Sequence, residues 1–353
     1  MAKSLDDFLR ECAKDVDGEL GSFFPKKPDA KWLSYALGKP DFEFDLPSTN
    51  GAIAAPVWDF LSRGGKRWRP ALMLLACEAV GGSRKKAMPF TVIPELVHSG
   101  TLLIDDIEDN SSLRRGKPAT HLLFGVDVAI NAGNAMYYLP LVLLFRSNSL
   151  PDKVKGRIYD LYALEMLRLS FGQAMDIYWH RGHGNVSQKH YLQMCSFKTG
   201  SLARFAAELG AVLGGASKPQ IDALGDFATS IGVAFQIQDD ILNIKPASVE
   251  WGKEIGDDIK EGKRTLMVIH ALKVLPDAKA KKLVSLLDLK EKSDAQVKDA
   301  IGLLESCGAI DYSRKVARDL VSSSWKRLDK KLRPSQAKSM LKEFAAYLIE
   351  RKI

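Results

Sequence analysis

Two acidic motifs stand out in this chain, Asp105-Asp106-Ile107-Glu108-Asp109 and Asp239-Asp240-Ile241-Leu242-Asn243, each near the end of a strongly apolar stretch. Carboxylates held that close repel, so clustering them beside hydrophobic sequence costs stability unless a cation neutralises them. A hard divalent metal with phosphate oxygens behind it is the simplest such cation. The motifs therefore suggest two acidic walls facing each other across magnesium and a diphosphate. On a helix Asp105 and Asp109 are i,i+4 neighbours, so their carboxylates share a face and can hold metal ions jointly. His98 lies two turns upstream on roughly the same stripe. Downstream comes Arg114-Arg115-Gly116. Planar guanidinium forks suit phosphate oxygens, and the glycine allows a tight reversal around them.

The second motif repeats the logic. Gln236, Asp239, Asp240 and Asn243 fall on adjacent turns of one helix, and Lys253, Asp258 and Lys263 follow in a glycine-punctuated loop able to curl over a phosphate. Three smaller pieces complete the set. Gly64-Gly65-Lys66-Arg67-Trp68-Arg69-Pro70 offers cations on a loop that opens a helix, where backbone N–H groups also favour anions. Gln173 and Asp176 sit i,i+3. Lys198-Thr199-Gly200 puts an ammonium beside a hydroxyl at a helix start.

Helical periodicity supplies the elements that must hold these groups, and no sustained period-two pattern of strands is present. Helices are predicted over 3–20, 52–63, 68–80, 94–110, 121–145, 151–180, 187–195, 199–214, 218–243, 263–274, 278–288, 294–305, 310–329 and 334–351. Turn-forming clusters such as Gly81-Gly82-Ser83 and Gly214-Gly215-Ala216-Ser217 punctuate them. Residues 21–50 read as irregular chain, so the expected organisation is an N-terminal extension over 1–55 and an all-α, single-domain bundle around a central cavity over 56–353.

The 353 residues are 46% hydrophobic and 27% charged, enough for a large core, with a net charge of +8. Basic clusters late in the chain (Lys279, Lys281 and Lys282, then Lys326 to Arg333) are solvated helix faces, or steer anionic substrates, or attract the chain weakly to anionic membrane surfaces. No motif supports nucleic-acid binding. Four scattered cysteines suit reduced thiols rather than a disulfide framework or zinc site. The N-terminus lacks an apolar signal core, and the longest apolar stretch, Ala135 to Phe145, is short and contains Pro140. These features lead us to expect a cytoplasmic protein without a transmembrane segment.

Taken in order, Gly-Gly-Lys-Arg-x-Arg-Pro, Asp-Asp-x-x-Asp with Arg-Arg-Gly, Gly-Gln-x-x-Asp, Lys-Thr-Gly, Phe-Gln-x-x-Asp-Asp and Gly-Lys-Arg-Thr resemble the trans-isoprenyl diphosphate synthase family, from Gly64 to Thr265. The stretch Leu102 to Gly116 looks most like geranylgeranyl diphosphate synthases. The resemblance implies that Asp105 and Asp109 hold two magnesium ions against an allylic diphosphate and that Asp239 holds a third, with Asp106 and Asp240 completing the acidic set. It implies that Arg114, Lys198 and Lys253 neutralise that diphosphate, with Lys263 beside them. Lys66, Arg69, His98 and Arg115 would bind isopentenyl diphosphate. Thr199, Gln173 and Gln236 would lie near the developing carbocation. A homodimer is also implied. Asn243 departs from the third aspartate of many relatives, although geranylgeranyl-type members often carry it.

Gly100 and Thr101, one turn before Asp105, are expected to point along the channel that receives the growing tail, and their small size leaves room for a product longer than fifteen carbons. Close helix–helix packing is the lesser alternative for a mid-helix glycine. The expected main product is geranylgeranyl diphosphate, with geranylfarnesyl or longer diphosphates the nearest competitors. A class I terpene cyclase is disfavoured by the presence of Lys66, Arg69 and Arg115. A non-catalytic partner subunit is disfavoured by two intact acidic motifs.

Overall fold

Helices form where the apolar spacing predicts them, and the ends are set by local chemistry. The computed structural model describes residues 4–181, 186–245 and 255–349. Lys253 lies outside them. The predicted helix over 218–243 is observed as Lys218–Ile244, opened by a capping box in which Ser217 N–H donates to Gln220 Oε1 at 3.0 Å. The helix predicted over 121–145 is instead broken into Thr120–Phe124, Val126–Tyr138, a tighter turn at Leu139–Leu141 and Val142–Phe145. Gly125 interrupts it at φ 92° and Pro140 lacks the amide that would continue it. Residues 21–50, expected to be irregular, hold two short helices, Ala30–Leu37 and Leu46–Thr49, whose aspartate caps Asp29 and Asp45 accept from the N–H groups of Trp32 and Ser48.

The helices group into two compact units. The first runs to Asp160 and includes Leu209–Ala216. Its most buried helix is Trp68–Ala79, in which every residue except Glu78 is buried. Against it pack the N-terminal helix Leu5–Phe23, through the stripe Leu5, Phe8, Cys12, Val16 and Leu20, and the first acidic helix Val92–Glu108. Burial of each large side chain in that stripe contributes about 1.5–3 kcal/mol. At Gly210 a Cβ would lie 1.9 Å from the Met73 carbonyl oxygen, so only glycine permits that approach. The two-residue strands Leu113–Arg114 and Lys117–Pro118 pair antiparallel through a turn with Arg115 at φ 53° and Gly116 at φ 73°, the positive pair that a tight hairpin demands.

The second unit comprises Leu161–Glu208 and the chain from Ser217 onward. The second acidic helix, Lys218–Ile244, is its centre and packs on Ala309–Asp329, Gln336–Ile349 and a π-helical turn over Ser196–Gly200. Phe227 and Trp325 meet at 5.3 Å between ring centroids. The π turn inserts one extra residue between the helices Gln188–Cys195 and Ser201–Leu213, a device that recurs at functional sites. Two glycines receive it. A Cβ at Gly172 would lie 2.2 Å from the Lys198 nitrogen, and one at Gly232 would lie 2.7 Å from the Gly200 Cα.

Two helical runs, Arg84–Glu108 and Val126–Phe145, are long and apolar enough to cross a bilayer by length and composition alone. The first owes its apolarity to core packing, being 67% buried; the second is 39% buried and carries exposed apolar side chains. All four cysteines are free, three of them buried.

Candidate active site

In the first unit the helix Val92–Glu108 carries Asp105 on its last turns, with His98 and Thr101 on the turns before it. Asp105 and Asp109 are both partly accessible, whereas Asp106 is buried. Arg114 Nε donates to Asp106 Oδ1 at 2.7 Å, and a terminal nitrogen of Arg114 reaches the same oxygen. Asp106 Oδ2 is buried without a hydrogen-bond partner among the described residues. Expected among the metal ligands, Asp106 instead points inward and fixes Arg114. Burial works against the Arg114 charge, but Asp106, Asp105 and Asp109 outweigh it and hold the guanidinium above its ordinary pKa.

The Arg115 guanidinium lies over Phe60, 5.0 Å from the ring centroid, and donates to the Gly64 carbonyl of the basic loop. Burial lowers its pKa to about 10; Glu95 opposes the shift, and the neighbouring charges of Arg67, Arg114 and Arg63 add to it. His98 is pushed well below its usual range by burial and by Arg69, Arg115, Arg114 and Arg67, so the imidazole is neutral. Arg69 stacks on Trp68 at 4.2 Å. Lys66 is exposed on the same loop. Arg69 and Arg115 are thus largely desolvated cations, with the exposed Lys66 on the same loop, and their charge calls for an anion.

Sequence reasoning missed the clamps around this cluster. Arg63, held by Asp59 at 2.6 Å, donates to the Arg114 carbonyl at 3.2 Å. The buried Arg67 bonds Glu95 at 2.5 Å and Asp17 at 2.9 Å. Arg67 sits within the basic motif, so its type was visible, but no local signal points to Asp17.

Gly100 does not line an open channel. A Cβ there would lie 2.8 Å from the Gly133 carbonyl oxygen, 2.9 Å from Met136 Cβ and 3.1 Å from a ring carbon of Tyr137. The chain-length role expected for Gly100 is therefore replaced by a helix crossing, in which the missing side chain lets Val126–Tyr138 approach. Thr101 is half-buried, and its hydroxyl donates to the His98 carbonyl at 2.7 Å.

In the second unit the π turn presents Lys198 and Thr199. Lys198 Nζ bonds Asp176 Oδ2 at 2.7 Å, and Thr199 Oγ1 donates to Gln236 Oε1 at 2.9 Å. The Gln236 amide donates to Asp240 Oδ1 at 2.9 Å, while Tyr191 O–H donates to Asp240 Oδ2 at 2.6 Å. Burial, then Asp258, raises Asp240 to about 8 against the opposing effects of Tyr191, Gln236 and Lys263. Asp240, another expected metal ligand, is thus an internal hub of hydrogen bonds. Asp239 is more accessible, on the same face as Gln236 one turn earlier; Gln173 is likewise half-buried. Tyr191 went unnoticed, though its place two turns before Lys198 is a readable spacing.

Asn243 is buried and ties the following loop back to its helix. Its side-chain oxygen accepts from Asp258 N–H at 3.1 Å and its carbonyl from Gly256 N–H at 2.8 Å. A neutral amide there does structural work. Lys263 reaches Glu261 at 2.6 Å and Asp258 at 3.5 Å.

No group of three or more His, Cys, Asp or Glu among the described residues is gathered closely enough to cage a metal ion. The accessible carboxylates Asp105, Asp109 and Asp239 nevertheless fit magnesium. That ion keeps several waters and binds through one or two carboxylates plus substrate phosphates rather than in an all-protein cage.

An all-α protein with an accessible carboxylate pair, a guanidinium cluster and a hydrogen-bonded Thr–Gln–Asp chain has the features of the enzymes that ionise prenyl diphosphates. Residues 50–304 match the family described as polyprenyl synthetase. The chain is similar to the geranylgeranyl diphosphate synthase of Methanosarcina mazei (36% identity, covering 82% of this chain and 86% of the relative). It is also similar to the geranylfarnesyl diphosphate synthase of Natronomonas pharaonis (34% identity, covering 82% and 87%). A solved structure of geranylgeranyl pyrophosphate synthase from Corynebacterium glutamicum, complexed with isoprenyl diphosphate and magnesium, superposes with a TM-score of 0.81 at 26% identity over 99% of this chain and 100% of that one. The chain belongs to the polyprenyl synthetase family and is a trans-isoprenyl diphosphate synthase.

Proposed function

We propose that this enzyme condenses isopentenyl diphosphate with an allylic diphosphate, using three magnesium ions, and that its main product is geranylgeranyl diphosphate. What supports the reading is that the first unit carries two chemically different groups of side chains. One combines Asp105 and Asp109 with Arg114, suited to a metal-bound diphosphate. The other, Arg69, His98 and Arg115, has cations without metal-binding carboxylates and suits a second diphosphate whose bond to carbon is kept. A cyclase needs only the first.

When bound, magnesium supplies neutralisation of the pyrophosphate charge as the allylic carbon–oxygen bond ionises. In the first unit Asp105 and Asp109 would hold magnesium, with Arg114 sharing the diphosphate charge; in the second unit Asp239 would hold a further ion, with Lys198 as its cation. Lys263 and Lys253 belong to the loop that follows Asp239. His98, neutral and desolvated, and the cations Lys66, Arg69 and Arg115 orient isopentenyl diphosphate. The oxygens of Thr199 and Gln236, with Gln173, stabilise positive charge at the allylic carbon, and the apolar surroundings exclude water. The isopentenyl double bond attacks that carbon, and a proton lost to pyrophosphate leaves a chain five carbons longer.

Product length rests on the likeness to geranylgeranyl diphosphate synthases and on the small Thr101 one turn before Asp105. The likeness to a geranylfarnesyl diphosphate synthase makes the next longer chain the alternative. Incubation with farnesyl and isopentenyl diphosphates and magnesium, followed by sizing of the dephosphorylated alcohols, should give mainly the twenty-carbon alcohol. A fifteen-carbon limit would sink the length assignment. Hydrocarbon formed without consumption of isopentenyl diphosphate would mark a cyclase, and inactivity rescued by another subunit would mark a regulatory partner.

The same reading includes a homodimer. Leu164, Leu167, Phe171 and Tyr178 recur along one face of the helix Asp152–His180, and Leu167 and Phe171 are 59% and 65% exposed. Leu122, Leu123, Ile130 and Tyr138 are exposed in the first unit. Large apolar side chains in such a stripe suit a second copy of the chain, and residual attraction to anionic membrane would come from the basic clusters.

A further inference from the structure

The basic loop before Trp68 is held in place in part by the helix that precedes the matched residues 50–304. Arg67 occupies left-handed backbone (φ 46°, ψ 32°), which a side chain with a Cβ adopts only when its surroundings over-determine it. Its guanidinium supplies that constraint in three directions. Nε donates to Asp17 Oδ1 at 2.9 Å, one terminal nitrogen to Glu95 Oε1 at 2.5 Å, and the other to the Leu61 carbonyl at 3.0 Å. Glu95 lies one turn before His98 on the first acidic helix, and Leu61 lies in the last turn of the helix Ala55–Ser62 that precedes the loop. Asp17 belongs to the N-terminal helix Leu5–Phe23, which lies before residue 50, where the family match begins. The helix is fixed independently by Phe8, Cys12, Val16 and Leu20, and by Arg84, which reaches Asp15 at 3.4 Å and lies over Phe8 at 4.7 Å.

With its guanidinium committed to these bonds and almost wholly buried, Arg67 serves the packing of the loop. What it controls is the backbone between Lys66 and Arg69, and through the Gly64 carbonyl also Arg115. A Cβ at Gly65 would lie 3.0 Å from the Arg115 guanidinium, so loop and hairpin interlock.

We propose that Asp17 is a positioning residue for the isopentenyl diphosphate site: the N-terminal helix, acting through Arg67, sets the conformation of the Gly64–Arg69 loop. This inference rests on the condensation reading above. Asp17 is half-exposed, so its bond contributes little to global stability, while the loop it helps to hold carries two of the cations expected on the substrate.

The test measures isopentenyl diphosphate binding by calorimetry without allylic substrate, together with steady-state kinetics, for the wild type, Asp17→Asn and Asp17→Glu. Asp17→Asn should weaken isopentenyl diphosphate about fivefold in Kd and KM, the size of one partly exposed charged bond. Its kcat, its KM for farnesyl diphosphate and its thermal midpoint should stay near wild type. Asp17→Glu should recover most of the loss. Unchanged isopentenyl affinity in Asp17→Asn overturns the proposal, as does a parallel rise in both KM values with a lowered thermal midpoint, which would show a merely structural role. A wild-type enzyme that binds no isopentenyl diphosphate overturns the condensation reading itself.

Discussion

Replacing Gly100 separates a helix crossing from a tail channel, and the structure sets the size of the effect. In Gly100→Ala the new methyl would meet the Gly133 carbonyl at 2.8 Å and Met136 Cβ at 2.9 Å. Both belong to backbone or to the first side-chain carbon, so neither can turn aside and the helices must separate. Overpacking of this kind costs about 1–3 kcal/mol, against about 1 kcal/mol gained from the better helix propensity of alanine. The net loss is ~1 kcal/mol. At about 2.1 cal/mol/K of unfolding entropy per residue, a chain of this length loses about 1–2 °C of Tm. Gly133→Ala probes the same crossing from the other side, where the nearest atoms are Ile104 Cδ1 at 2.9 Å and Cγ1 at 3.0 Å, the outer part of a side chain that can rotate. It should be near neutral. Scanning calorimetry of the two variants should therefore rank Gly100→Ala below Gly133→Ala. Gly100→Phe should cost ~3 kcal/mol or more and lose folded protein instead of trimming the product. A Gly100→Phe enzyme as stable as wild type that stops at fifteen carbons, with Gly100→Ala undiminished, would refute the crossing and restore a tail-lining role.

Two further outcomes follow from other parts of the molecule. Burial raises Glu165 to about 7, with Glu208 adding to the shift and Arg168 and Arg204 opposing it. A carboxyl raised from its unfolded value of 4.5 stabilises the fold fully below that value, and the contribution is lost as pH rises through about 7. Glu165→Gln should therefore gain ~3 kcal/mol on wild type between about pH 4.5 and 7.5 in denaturant titrations, and a difference independent of pH would contradict the assignment. On the apolar stripe, Phe171→Glu should lower the sedimentation mass from dimer to monomer with the helical signal intact. Each lost side chain of ~1.5–3 kcal/mol counts twice across a two-fold interface. A wild type that sediments as a monomer, or a variant of unchanged mass, rules this interface out.

Much of the fold was readable because helices report themselves locally. The predicted 218–243, 294–305 and 310–329 differ by a residue from the observed Lys218–Ile244, Asp294–Ser306 and Ala309–Asp329, since caps and apolar spacing lie within the same few residues. The short helices around Asp29 and Asp45 escaped because their apolar pattern is too brief to register, although the caps were in view. The segment 121–145 was read as unbroken because the influence of Gly125 depends on the φ it adopts.

The sequence by itself determined the chemistry: acids one turn apart, guanidinium groups placed after them, and a Lys-Thr-Gly turn that carries an ammonium beside a hydroxyl. Tertiary structure decided which of those groups face outward. Asp105 and Asp106 are adjacent and identical in type, yet one is accessible and the other is buried against Arg114, because a helix turns successive side chains through about 100° and only packing says which side is inside. Asn243 proved to be a loop tether, and Gly100 a point of helix contact. Asp17, fifty residues from the arginine it holds, has no local signal, since a contact between distant segments exists only once both have been placed.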